Sequence, residues 1–114
     1  MSALPQYSAY QGDTARLDFL VLDYTGTAQN LATVTLRWAL SDPDEMDVPI
    51  LEKAAGDGIE ITDAAAGLCT VTIPAGELDT PGTFVHELEV TLAGGATYTY
   101  GQGPFIVRPT VYPT

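Results

Sequence analysis

The sequence predicts an all-β domain, an antiparallel β-sandwich of about seven strands. Three observations carry that expectation. In residues 82–92, Phe84, His86, Leu88, Val90 and Leu92 fall on one face, and Thr83, Glu87, Glu89 and Thr91 on the other. This period of two marks a sheet with one buried and one wet face. Similar runs recur at a spacing of about 8–12 residues between turn-forming Gly, Pro and Asp. No helical period of any length interrupts them.

A chain of 114 residues is one domain, and folding removes about two-thirds of its surface from water. With 46% apolar and only 17% charged residues, it reads as globular rather than disordered. The expected organisation is an arm over 1–12, a sandwich over 13–109 and a tail over 110–114.

Along the chain, Tyr7 and Tyr10 lie in the arm without a clear period. A first strand is predicted over 13–24, where Ala15, Leu17, Phe19 and Val21 alternate with Thr14, Arg16 and Asp18. A second, over 32–40, sends Val34, Leu36, Trp38 and Leu40 one way and Thr33, Thr35, Arg37 and Ala39 the other; β-branched and aromatic residues suit it. A polar loop, Ser41-Asp42-Pro43-Asp44-Glu45, ends near Pro49, and Ile50-Leu51 starts a short third strand. Gly56-Asp57-Gly58 is a turn. Ile59 and Ile61 then lie on one strand, and Cys69, Val71 and Ile73 return on the next, forming a hairpin with a longer loop. Residues 74–81 have room for a single helical turn around Glu77-Leu78. After the strand at 82–92, Gly94-Gly95 turns the chain. A last strand carries Tyr98 and Tyr100, is interrupted by a bulge in Gly101-Gln102-Gly103-Pro104, and resumes through Phe105 and Val107. The predicted core includes Leu17, Phe19, Leu36, Trp38, Ile61, Val71, Leu88, Val90 and Val107.

The net charge of −11 argues against nucleic acid, because binding there works by neutralising phosphates with Lys and Arg. Arg16, Arg37, Lys53 and Arg108 are too few and too dispersed for a basic stripe, which also excludes an anionic membrane surface. No apolar run approaches the ~20 residues that span a bilayer. The N-terminus lacks the charged and apolar regions of a signal peptide, so synthesis in a reducing cytosol is expected.

Each residue type that carries chemistry has a plain structural reading. Asp42, Asp44, Glu45 and Asp47 cluster in one loop and offer oxygens to calcium, but without EF-hand spacing or its central Gly; a solvated acidic loop is expected. Glu87 and Glu89 share a face about 6.5–7 Å apart at the backbone, a separation known from glycosidases, yet they read as a wet strand face. His86 reads as a histidine at the core's edge, hydrogen-bonded through one ring nitrogen. Cys69, the single cysteine, reads as a small buried hydrophobe. The tyrosines suit a sugar-stacking platform, a protein interface, or ordinary half-buried sheet positions. No catalytic residue, cofactor or required metal is expected.

One resemblance points to a role. After Gly12-Asp13 come Val34-Thr35-Leu36-Arg37-Trp38, Gly58-Ile59-Glu60-Ile61-Thr62-Asp63 and Gly67-Leu68-Cys69-Thr70-Val71-Thr72-Ile73. Pro81-Gly82-Thr83-Phe84-Val85-His86-Glu87-Leu88 and Gly103-Pro104-Phe105-Ile106-Val107-Arg108-Pro109 follow. This order resembles the immunoglobulin-like domains of tailed-phage virion proteins, including the N-terminal domain of siphophage upper baseplate proteins. The resemblance implies a non-enzymatic bacteriophage virion structural protein, either a capsid decoration (cement) protein or a head, tail or baseplate accessory subunit. It would be made in the host cytoplasm, reside in the virion, bind other virion proteins and form a homo-oligomer, with Tyr7, Tyr10 and Tyr112 as interface anchors. The alternative is a carbohydrate-binding β-sandwich module.

Overall fold

The computed structural model describes residues 4–110. Its eight strands are β1 (Tyr7–Tyr10), β2 (Ala15–Leu20), β3 (Thr35–Ser41), β4 (Pro49–Ala55), β5 (Gly58–Asp63), β6 (Leu68–Ile73), β7 (Gly82–Thr91) and β8 (Thr97–Arg108). They form one sheet in the order β1-β8-β7-β3-β4-β5-β6-β2, which curls until it nearly closes. The all-β sandwich expectation holds. β4 and β5 are joined by two residue pairs alone, Ala54↔Gly58 and Ala55↔Ile59. That thin junction divides the sheet into a five-stranded and a three-stranded leaf.

The core lies between the leaves. Strict alternation on β2 and β7 turns Leu17, Phe19, Phe84, Leu88 and Val90 inward, where they meet Leu36 and Trp38 of β3 and Val71 of β6. Of the nine predicted core residues, only Ile61 stays partly exposed. Fully burying one such side chain contributes about 1.5–3 kcal/mol. Trp38 therefore anchors the core: its ring is fully buried and meets Phe105 edge-on at 6.1 Å.

Several elements differ from expectation, each for a visible reason. The segment expected as an arm belongs to the domain. Tyr7–Tyr10 pairs with β8, and Leu4 is buried with its N–H bonded to the Gln102 carbonyl at 2.9 Å. Both this pairing and β4–β5 are parallel, so the sheet is not wholly antiparallel. The first predicted strand is shorter, because Val21 leaves the ladder to bond Gly67 and Gln29, and the Asp23 carboxylate collects the Thr25 and Thr27 amides into a turn. The second begins at Thr35, since the Asn30 side chain holds the Ala32 amide in an Asx-turn. The third strand runs through Ala55.

No helical turn forms at 74–81. Gly76, at φ +91°, and the Leu78 carbonyl instead bond Gly12, pinning the loop across the crossover between leaves. The bulge of β8 falls at Tyr100, between Leu88↔Gly101 and Glu89↔Thr99, rather than in Gly101-Gln102-Gly103-Pro104. Gly103 serves a different need: a Cβ there would stand 2.3 Å from the Leu4 carbonyl oxygen. Close passage of the N-terminal segment requires glycine at that point.

Candidate functional site

The outer face of the larger leaf carries a shallow groove of about 180 Å³, floored by β3 and β7 and walled by the β3–β4 loop. Antiparallel pairing sets Arg37 opposite Glu89 and Ala39 opposite Glu87. The Arg37 guanidinium donates to the Glu52 carboxylate on β4, and Gln102 Nε2 donates to Glu87 Oε1 at 2.6 Å. Glu87 and Glu89 share one face, as the alternation predicted. Their surroundings are solvated and hydrogen-bonded, and the volume lies below the roughly 300 Å³ of a usual small-molecule pocket. The arrangement presents an acidic, ion-paired surface.

The loop at 42–47 is organised by its own backbone. Asp42 Oδ1 accepts the Asp44 amide at 2.9 Å, and the Asp42 carbonyl accepts the Glu45 amide at 3.0 Å. Among the described residues, no three carboxylate, imidazole or thiol side chains converge on a point where a metal ion would sit.

His86 lies deeper than expected. It is fully buried and uses both ring nitrogens. Trp38 Nε1 donates to Nδ1 at 3.2 Å, so the ring proton belongs on Nε2, which donates to the Pro5 carbonyl at 3.3 Å. The neutral imidazole is thus satisfied at both ends, as a buried polar ring requires. Burial lowers its pKa below the ordinary 6.5, and the Pro5 bond opposes that shift. Phe105, Trp38 and Phe19 surround the ring at 5.6, 6.1 and 6.3 Å. His86 joins β7 to Trp38 and to the N-terminal segment, out of reach of any substrate at the surface.

Cys69 is buried, and desolvation, helped by the charge of Asp18, pushes its thiol up to about 11. That is the setting of an inert core thiol.

The tyrosines divide. Tyr7 stacks on Phe105 at 5.9 Å and donates its hydroxyl to the Arg16 carbonyl; Tyr100 donates to the Leu20 carbonyl at 2.8 Å. Both acceptors lie on β2, so the gap between the sheet's two ends is bridged by tyrosine hydroxyls in place of a backbone ladder. Burial raises the Tyr7 and Tyr98 hydroxyl pKa values, with the charge of Asp18 adding at Tyr7 and that of Asp23 at Tyr98. Tyr10 is exposed, and Tyr112 lies outside the described residues. Of the three tyrosines expected as anchors, Tyr7 is occupied within its own domain and Tyr10 is free to meet another molecule.

Sequence reasoning missed one surface. Met46, Val48 and Ile50 are all exposed beside the acidic loop. Their alternation with Asp47 and Pro49 was the available signal.

No protein-family description and no curated protein matches this chain. Among solved structures, the crystal structure of CopC from Methylosinus trichosporium OB3b aligns over 97% of this chain and 91% of its own, with a TM-score of 0.51 and 18% identity. At that identity the likeness concerns the fold, and it agrees with a β-sandwich.

Proposed function

We propose that this chain is a non-enzymatic structural subunit of a tailed-phage particle, acting through protein–protein contacts with capsid, tail or baseplate proteins. One observation carries the reading: the order of phage-like phrases from Gly12 to Pro109. Those phrases coincide with the sheet's strands, falling on β3, β5, β6, β7 and β8 in turn. Their alternation is the part of the resemblance that builds the sandwich. In this reading the protein is made in the host cytoplasm, is incorporated as a homo-oligomer and resides in the virion. Decoration protein and head, tail or baseplate accessory subunit are the two forms the role takes.

The acidic surface supports protein partners over nucleic acid, since a net charge of −11 repels phosphates. The test is mass spectrometry of purified particles from the phage whose genome encodes the chain. Its presence at a stoichiometric level is the expected result. Absence, together with specific binding on a glycan array, would replace this reading with the carbohydrate-binding one.

A further inference from the structure

A sheet edge left open is a template for another chain, and most proteins cover it, shorten it or place a charge against it. Among the described residues, β4 pairs with β5 only at Ala54 and Ala55, so residues 49–53 have no ladder partner on that side. The two halves of this edge differ. At its C-terminal end Lys53 turns inward, its stem against Gly58 and its Nζ 2.7 Å from Glu77 Oε1, which closes the edge with a charge. The N-terminal half has no inward charge; Pro49, which offers no N–H, begins it, so the open donors lie from Ile50 onward. Ile50 stands 56% exposed on it, and Met46 and Val48, in the turn that leads into β4, stand 42% and 53% exposed. A groove of about 290 Å³ opens beside it, with Ile50, Leu51, Leu78 and Phe84 among its lining residues and Glu77 and Asp79 adding acid.

Scattered surface hydrophobes need no explanation. An exposed Ile50 on an unpaired edge, with an apolar groove beside it, has the form of a strand-addition site, where the backbone ladder supplies affinity and alternate side chains supply specificity. The charge selects the occupant. Asp42, Asp44, Glu45 and Asp47 are exposed around the apolar residues. A second copy docked at this edge would bring the same four acidic side chains against them, so like charges would meet there.

We propose that the edge of β4 at residues 49–52 binds an extended segment of a different protein, one that alternates apolar residues with Lys or Arg. This goes beyond the virion assignment. A protein absent from particles whose edge still binds such a segment keeps this inference and loses that assignment. A virion protein whose edge does not bind keeps the assignment and loses this one.

The test uses the full chain, amide hydrogen exchange by NMR, and a capped peptide of about nine residues, long enough for a strand, alternating valine with lysine. The expected result is a slowing of exchange of about tenfold or more at the amides of Ile50, Leu51 and Glu52 that are open in the free protein. Peptide affinity should weaken as salt rises, because exposed charges are screened. The same peptide with glutamate for lysine should not bind. Ile50→Lys should remove binding while melting like the parent, since the side chain is exposed, and Asp47→Lys should weaken it without touching the ladder. No protection at these amides would overturn the proposal. So would equal binding of the acidic peptide, binding indifferent to Ile50→Lys, or a self-association that Ile50→Lys abolishes.

Discussion

Replacing His86 by Phe tests the packing logic of the core at its one buried polar node. A phenyl ring keeps the contacts to Phe105, Trp38 and Phe19 but has no atom to accept the Trp38 N–H or to donate to the Pro5 carbonyl. Leaving the buried Trp38 donor unmade costs about 1–3 kcal/mol, whereas Pro5 is exposed and water can replace the ring at its carbonyl. The expected loss is therefore about 1–3 kcal/mol, a fall in Tm of about 4–12 °C at roughly 4 °C per kcal/mol. The pH dependence is an independent readout. The folded-state pKa of His86 is lowered from 6.5, so above pH 6.5 folded and unfolded chains both hold a neutral ring and the stabilisation is complete. As pH falls below 6.5, the unfolded chain takes up a proton that the folded chain refuses, and stability declines toward the folded-state pKa. The slope in that window approaches about 1.4 kcal/mol per pH unit. His86 is the only histidine, so this slope should vanish in His86→Phe. Urea titrations of both proteins between about pH 7.5 and pH 5 measure it. Equal stability of the two proteins, or the same slope in both, would refute the reasoning.

Gly103→Ala should displace the N-terminal segment, because its new Cβ meets the Leu4 carbonyl at 2.3 Å; hydrogen exchange at the Leu4 amide should accelerate and Tm should fall. Tyr100→Phe removes the hydroxyl that bridges β8 to Leu20 and should cost about 0.5–1.5 kcal/mol by chemical denaturation. Cys69, buried with its thiol pKa near 11, should react with iodoacetamide only on unfolding; rapid labelling of the native protein would contradict its place in the core.

Legibility in the sequence followed locality. β6 and β7 were visible because alternation alone defines a strand with one buried face, and Trp38 announced itself by size and setting. β1 was hidden because Tyr7, Ser8, Ala9 and Tyr10 make only four residues, and their partner, Phe105 to Arg108, lies at the other end of the chain in a parallel pairing. β4 was cut short because Lys53 points inward, against the rule that a charge marks the wet face. His86 was placed on the correct face but too near the edge. Its partners Trp38 and Pro5 lie 48 and 81 residues away in sequence, and no local pattern reports such contacts. The open edge of β4 was invisible for the same reason: an absent neighbour is a property of the whole sheet.

In the role proposed, the chain is a particle subunit that works through protein contacts. Cryo-electron microscopy of purified virions, compared with particles from a deletion mutant, tests it most directly. The expected result is a β-sandwich density at repeated positions, absent from the mutant, with its faces against neighbouring proteins. Identical particles with and without the gene would contradict it.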